Sequence, residues 1–240
     1  MPTNKSLDTT VEQAIEGNNA SVSRRKFLGY VGVTSALLAT VSVSSCKKDS
    51  NTSSTPGSVD LGSGDVGILN YAYALEQLEA AFYVQVASSP YTGITASEQA
   101  YLTDIRNHEV AHREFFKAAL TAAAPSAIIP ALSVDFSTIN FASRDSVLGT
   151  AKVFEDLGVS AYNGAGQLLV TPDYLVLAGK IVSVEARHAA LIRELIAINT
   201  FADSSVIDAN GLDVVNMPPA VLAAAGKYIK NTIDASHLPS

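Results

Sequence analysis

The chain has 240 residues, of which 48% are hydrophobic and 16% are charged, and its formal net charge is −7. This composition is typical of a folded domain with a sizeable core, and its richness in alanine and lack of tryptophan favour close-packed helices. The acidic balance argues against a nucleic-acid partner, and the single cysteine excludes an internal disulfide framework, a four-cysteine zinc site and an iron–sulfur cluster.

The N-terminal segment, residues 1–46, has the pattern of an export signal. Arg24 and Arg25 precede the apolar run Gly29–Val43, whose 15 residues are fewer than the roughly 20 that span a bilayer. The arginine pair resembles a twin-arginine signal, and the Val-Ser-Ser-Cys that ends at Cys46 resembles a bacterial lipobox. These patterns predict export by the twin-arginine route, lipidation of Cys46 and a periplasm-facing lipoprotein of the bacterial cell envelope. The alternative is a buried cysteine after an N-terminal helix.

Residues 47–64 are predicted to be a flexible tether, because Ser, Thr, Gly and Asp predominate there and no hydrophobic period is present. Residues 65–200 carry four segments with helical periodicity, and Thr95 with Glu98 forms a capping-box signature before the second. The predicted helices run from Asp65 to about Ser88, from Thr95 to about Ala123, from Ser143 to about Val170, and from Thr171 to about Asn199.

The connections between these helices indicate how they are arranged. Residues 124–142 are too long for a tight turn and suit a crossover along a four-helix bundle. Residues 201–240 are predicted to be a C-terminal extension with a short helix after Pro218 and Pro219. The predicted fold class is therefore all-α, a four-helix bundle with one long crossover connection and a short C-terminal extension.

Charged side chains interrupt the apolar stripes of the second and fourth helices. The second stripe contains Glu109 and His112, and the fourth contains Glu185 and His188. A single Glu-x-x-His is more often a solvated pair on a helix surface, but two copies within apolar stripes favour a buried site. Burying an unpaired carboxylate is very costly, so these stripes need a partner, and a cation is the obvious one.

The first and third helices supply further carboxylates. Their stripes contain Glu76 and Glu155, each followed seven positions later by a tyrosine, Tyr83 or Tyr162. Each half of the domain is thus a helix hairpin with Glu on one arm and Glu-x-x-His on the other. Packing the halves about a pseudo-twofold axis brings four carboxylates and two imidazoles together, which is the ligand set of a dinuclear iron or manganese site.

With these residues the chain resembles the ferritin-like superfamily, in particular its exported branch, sometimes described as desiccation-related. The resemblance covers about residues 65–200. It rests on LNYAYALEQLEAAFY (69–83), HEVAHREFF (108–116), FEDLGVSAY (154–162) and VEARHAALI (184–192).

The resemblance implies a set of site residues. The Glu-x6-Tyr spacing of the family selects Glu76 over Glu79 as the ligand of the first helix and places Glu79 at the edge of the site. Tyr83 and Tyr162 match tyrosines near such sites and are candidate catalytic residues, with simple core packing as the alternative. The implied ligands of two divalent iron or manganese ions are Glu76, Glu109, His112, Glu155, Glu185 and His188.

Departures from the family narrow the expectation. Val110 stands where bacterioferritins carry a haem-ligating methionine, so no haem is expected, and one cysteine cannot build the rubredoxin module of rubrerythrins. A lipid tether on each subunit disfavours a closed storage shell. A smaller homo-oligomer is compatible with the tether. His108 is predicted to point off the stripe into solvent.

The leading hypothesis is an exported dinuclear protein that reacts with O2 or peroxide, of ferroxidase or peroxidase/catalase type, in oxidative or desiccation stress. Its partners are then metal ions, the oxidant and a membrane reached through the N-terminal lipid. The alternative is a non-catalytic envelope scaffold, metal-stabilised or metal-free, since fold alone does not decide function.

Overall fold

The computed structural model describes residues 57–240. The predicted export signal, Cys46 and most of the predicted tether lie outside these residues. The helices and strands are β1 (Val59–Asp60), α1 (Gly64–Ser88), α2 (Ala96–Ala123), α3 (Arg144–Gly166), α4 (Pro172–Ile196), α5 (Pro218–Ala225), a 3-10 turn (Gly226–Tyr228) and β2 (Ile233–Asp234). The prediction of an all-α four-helix bundle is confirmed. Within the described range, every helix falls short of the length or the apolar content needed to cross a bilayer.

The starts of the helices follow local capping chemistry. Thr95 and Glu98 form a reciprocal capping box at the start of α2, and the Ser143 side chain accepts a hydrogen bond from the backbone of Ser146 at the start of α3. Helix α4 begins with Pro172 in its first turn, where proline loses no helical hydrogen bond. These signals lie close to the predicted boundaries.

The ends of α3 and α4 come earlier than predicted, because side chains take the backbone donors that a longer helix would use. Asp65 accepts hydrogen bonds from the N–H groups of Val170 and Thr171, so α3 ends at Gly166. In the same way, Glu194 accepts from the N–H groups that follow α4, those of Asn199, Thr200 and Phe201.

The four helices form two hairpins. Helix α1 packs along α2 and α3 along α4, and residues 89–95 and 167–171 join the members of each pair. Across the bundle, α1 runs antiparallel to α3, because Glu76 contacts Tyr162 while Tyr83, two turns further on, contacts the earlier Glu155. Helices α2 and α3 therefore point in the same direction, and the connection 124–143 must return along the bundle as a crossover.

The end of the predicted tether is structured, which corrects the prediction for residues 57–64. Strand β1 pairs in parallel with β2 of the C-terminal extension, and the next residue, Leu61, is 0% exposed. Buried Asn70 of α1 donates hydrogen bonds to the carbonyl oxygens of Leu61 and of Ala127 in the crossover. The hydrophobic period is absent because only Val59 and Leu61 of this segment enter the core.

The C-terminal extension is part of the domain core. Tyr228 packs edge-on against Phe154 of α3 with ring centroids 4.8 Å apart, and Val221 is 0% exposed. Gly164 lets the extension approach α3 closely, since a Cβ at this position would lie 2.0 Å from the carbonyl oxygen of Asn216. The extension therefore covers one side of the bundle at the level of α3.

Candidate metal centre

Each of the four bundle helices places one glutamate at the same level of the core. All four carboxylates, those of Glu76, Glu109, Glu155 and Glu185, are 0% exposed. His112 and His188 lie one turn after the glutamates of α2 and α4, on the same helix face, because residues three apart are neighbours on a helix. The structure thus brings together all six side chains that the sequence singles out.

The six side chains form two overlapping groups whose potential ligand atoms lie within 4.8 Å of one another. One group adds Glu76 and His112 to a shared pair, and the other adds Glu155 and His188 to the same pair. The shared pair is Glu109 and Glu185, one from each half of the domain. We call Glu109 and Glu185, which belong to both groups, the bridging glutamates, and Glu76 and Glu155, which belong to one group each, the terminal glutamates.

Each imidazole lies close to a glutamate from the other half of the domain. His112 Nδ1 lies 2.8 Å from an oxygen of Glu185 and 3.5 Å from Glu76 Oε2. His188 Nδ1 lies 2.9 Å from an oxygen of Glu109 and 3.4 Å from Glu155 Oε2. Each imidazole is therefore nearest to the bridging glutamate of the opposite hairpin.

Although these atoms lie close together, their hydrogen-bonding capacity is not satisfied. Eight buried atoms of the six residues, six carboxylate oxygens and two imidazole nitrogens, have no hydrogen-bond partner among residues 57–240. Folded proteins leave very few buried polar atoms in this condition. A cation about 2.1 Å from its ligand atoms separates neighbouring ligand atoms by about 3 Å, close to the spacing observed here. The donor set therefore fits divalent metal ions.

Two tyrosines hold the terminal glutamates from the opposite half. Tyr83 donates its hydroxyl hydrogen to Glu155 Oε1 at 2.5 Å, and Tyr162 donates to Glu76 Oε1. In each terminal glutamate one oxygen is thus occupied, and Oε2 is left facing the centre. Both oxygens of Glu109 remain unpartnered. The hydrogen bonding itself distinguishes terminal carboxylates, with one free oxygen, from bridging carboxylates, with two.

Burial raises the pKa of three of the four glutamates. For Glu76, Glu109 and Glu155, removal from water is the largest effect. It outweighs the nearby imidazoles and, for Glu76 and Glu155, the hydrogen bond from tyrosine. It raises the pKa of Glu109 to about 8 and that of Glu155 to about 7. These carboxyl groups hold protons readily, and a cation that binds here must displace them.

The fourth glutamate and the imidazoles shift in the opposite direction. Burial acts on Glu185 as well, but the two imidazoles that lie close to its carboxylate, those of His112 and His188, outweigh it and hold the pKa of Glu185 at about 2. Burial disfavours a charged His188, yet the carboxylates around it raise its pKa to about 12. Charge in this cluster therefore concentrates on Glu185 and the two imidazoles, and cations would replace the imidazolium protons.

Glu79 belongs to neither group of ligand atoms. It is 4% exposed and faces α3 at Gly158, where an added Cβ would lie 3.1 Å from Glu79 Oε1. Gly158 follows Glu155 by three positions, as Glu79 follows Glu76, so the missing side chain of one half leaves room for the glutamate of the other. Burial, then the negative charge of Glu109, raises the pKa of Glu79 well above its usual range.

The side chain of His108 is exposed, as its position off the buried stripe predicts. It also makes a contact that the sequence did not predict, since His108 Nδ1 lies 2.9 Å from His188 Nε2. Adjacent helical positions are rotated by about 100°, which puts His108 on the flank of α2 that faces α4. Burial and then the nearby His188 charge lower the pKa of His108. Sequence periodicity identifies the buried face of α2 but not which flank borders α4.

Residues 108–112 also spell His-Glu-x-x-His, which on a helix is the zinc pattern of metalloproteases. That chemistry needs both histidines on one ion and a glutamate that is not a ligand. Here His108 lies outside both groups of ligand atoms, while Glu109 contributes to both. The geometry therefore does not support a metalloprotease site.

Comparison with known proteins identifies the bundle. A family model described as a ferritin-like domain matches residues 64–197. The match runs from the first residue of α1 to just beyond α4, so it contains all six residues of the two groups. No curated protein matches the chain.

Proposed function

We propose that this chain, which belongs to the family of ferritin-like domains, binds two divalent iron or manganese ions and reacts with O2 or peroxide. The supporting observation is the set of eight buried ligand atoms without hydrogen-bond partners among the described residues. Four carboxylates carry a charge of about −4 when ionised, which two divalent ions balance. A carboxylate-rich set with one imidazole per ion suits iron or manganese better than zinc or copper.

The residues would divide the holding of the ions between them. Glu109 and Glu185, which belong to both groups, would contribute to both positions, Glu76 and His112 would complete one, and Glu155 and His188 would complete the other. Iron or manganese, when bound, would supply the electrons that reduce the oxidant.

The tyrosines and the surrounding core prepare the site. Tyr83 and Tyr162 each fix one oxygen of a terminal glutamate, so only the other oxygen is free to face an ion. The glutamates are closed off from water, whereas the side chain of His112 is 14% exposed and that of His188 is 5% exposed. Access therefore lies on the histidine side, between α2 and α4, and this narrow exposure suits a small oxidant.

We also propose that the protein is exported and lipid-anchored, and that it acts in oxidative or desiccation stress at the cell envelope. Arg24, Arg25 and Cys46 support this proposal by sequence pattern alone. The twin-arginine route carries folded proteins, which suits a centre that is loaded with metal before export.

The metal content of protein isolated from its native compartment tests the function. We expect two iron or manganese ions per chain, and oxidant consumption when the reduced, reconstituted protein meets O2 or peroxide. Two bound ions without consumption of either oxidant would favour the non-catalytic scaffold. A natively isolated and a reconstituted protein that both lack bound metal would overturn the dinuclear site.

A further inference from the structure

The two imidazoles of the centre differ in the contacts of the ring nitrogen that faces away from the carboxylates. Both present Nδ1 to the carboxylates. The other nitrogen of His188, Nε2, lies 2.9 Å from His108 Nδ1. Among residues 57–240, no hydrogen-bond partner is found for Nε2 of His112. The pseudo-twofold symmetry of the ligands therefore does not extend to the groups that support them.

The contact between His108 and His188 has the geometry of an in-line hydrogen bond. The ring planes differ by only 7° and the ring centroids are 5.1 Å apart. The two nitrogens, 2.9 Å apart, lie between the rings, so the rings meet edge to edge and not face to face. An in-plane hydrogen bond fixes both the rotation of an imidazole and the nitrogen that carries its proton.

Sequence explains why only one half has this contact. His108 immediately precedes the bridging Glu109, and the matching position before Glu185 is Val184. A valine side chain has no hydrogen-bonding atom, so it cannot act on His112 as His108 acts on His188. The asymmetry is thus encoded by a single pair of corresponding residues.

We propose that His108 is a positioning residue for His188 and makes the metal position formed by Glu155 and His188 the tighter of the two. This inference rests on the proposed function. With the Nδ1 lone pair of His188 directed at a cation, its proton resides on Nε2 and is donated to His108 Nδ1. His112 has no such support and must lose rotational and tautomeric freedom when it binds. Groups that support metal-binding imidazoles in this way change metal affinity by about 10- to 100-fold.

Stepwise titration of the full chain with Co(II), followed by visible absorption against a competing chelator, tests the inference. We expect two unequal steps in the wild type. His108→Ala should weaken the tighter step by about 10- to 100-fold and bring the two steps together. His108→Asn should largely restore the difference, because Asn Oδ1 accepts a hydrogen bond from the place of His Nδ1. Asn107→Ala, at the exposed neighbouring position, should leave both steps unchanged.

The proton on His188 gives a second readout. In the Co(II)-loaded protein we expect a paramagnetically shifted, exchangeable Nε2–H resonance, protected from rapid exchange by His108 and lost in His108→Ala. Two equal steps in the wild type, or unequal steps and a proton resonance that His108→Ala leaves unchanged, would overturn the inference and leave the proposed function standing. A wild-type chain that binds no Co(II) would overturn the proposed function, and this inference with it.

Discussion

Tyr83 of α1 donates a hydrogen bond of 2.5 Å to Glu155 of α3, so a tyrosine from one half of the domain orients a terminal glutamate of the other half. Tyr162 makes the equivalent contact to Glu76, and the two hairpins are therefore linked through the side chains of the candidate metal centre. The oxygen that each tyrosine occupies is removed from the set available to a cation. The links make the stability of the bundle depend on the same atoms as metal binding.

Replacing Tyr83 by phenylalanine tests this link. Tyr83→Phe keeps the ring in the core but leaves Glu155 Oε1 buried without its donor, which should lower the free energy of unfolding by about 1–3 kcal/mol. Chemical denaturation measures the change. Tyr228→Phe is the control, because the Tyr228 ring packs on Phe154 and its hydroxyl makes no hydrogen bond to a described residue. Equal, small effects of both substitutions would mean that Tyr83 acts as a core aromatic only.

Substitutions of two buried glutamates, Glu109 and Glu79, distinguish a metal ligand from a residue that only lies near the site. Glu109→Gln should reduce the number of bound ions and remove any oxidase or peroxidase activity, since Glu109 belongs to both groups of ligand atoms. Glu79→Gln, at a buried position outside both groups, should retain two ions. Metal analysis of the purified variants decides between them. Loss of the ions from Glu79→Gln would show that the wrong glutamate of α1 was assigned as a ligand.

The same Glu109→Gln variant should be more stable than the wild type in the presence of a chelator. Burial raises the pKa of Glu109 to about 8, so folding at neutral pH forces this carboxyl group to take up a proton at a cost in free energy, whereas Gln is neutral already. With metal added, the order should reverse, since only the wild type gains the full binding free energy. Thermal unfolding with and without added Mn(II) measures both. An unchanged order in the two conditions would contradict the prediction.

Gly164→Ala tests the close approach of the C-terminal extension to α3. A Cβ 2.0 Å from the carbonyl oxygen of Asn216 forces backbone to move, so we expect a loss of about 1–3 kcal/mol in unfolding free energy. The thermal unfolding midpoint should fall by about 2–4 °C for each kcal/mol. Gly149→Ala, in the same helix with no atom within 4 Å of its Cβ, should instead stabilise the protein by about 0.5–1 kcal/mol. If Gly164→Ala leaves the free energy of unfolding unchanged, the backbone of the extension near Asn216 moves away from α3 at little cost.

Glu98 should contribute to stability in a pH-dependent way. Burial raises its pKa, but hydrogen bonds from Thr95 and Arg144 outweigh burial and lower the pKa below the ordinary value of 4.5. Because the folded pKa is depressed, the contribution is fully present above the unfolded pKa and is lost as the pH falls through the folded pKa.

Comparison with Glu98→Gln isolates this contribution from those of the other carboxyl groups. The wild type should be more stable by about 1.5–3 kcal/mol at pH 6, since hydrogen bonds to a charged group are lost in the variant. The difference should shrink steadily below the ordinary carboxyl pKa. Denaturation at several pH values measures it, and a pH-independent difference would contradict the assigned role of Glu98.

Cys46→Ser tests the predicted anchor. If Cys46 is lipidated, the variant should lose acylation and signal cleavage before residue 46, as read by mass spectrometry and membrane fractionation. More than one acyl group is expected on the wild type, because a single chain holds a protein to a membrane only weakly. A Cys46→Ser protein that is processed normally and stays on the membrane would refute the prediction.

Sequence alone determined the class of fold and the residues that form the candidate centre. Helical periodicity identifies the buried face of a helix, so the positions of Glu109 and Glu185 within apolar stripes are enough to predict their burial. The duplicated hairpin then places the carboxylates at one level, because equivalent positions in two similar hairpins pack at equivalent heights. Both inferences depend on the spacing of nearby residues, which can be read directly from the sequence.

Tertiary structure decided how these residues contact one another. Periodicity gives the buried face of each helix but not its rotation relative to its neighbours, so the sequence predicted the exposure of His108 but not its contact with His188. The tyrosine–glutamate exchange between halves and the space that Gly158 leaves for Glu79 depend on the same rotations. The burial of Leu61 depends on pairing with a strand far along the chain. Such contacts are fixed by packing between segments that are far apart in the chain, and local sequence patterns do not predict them.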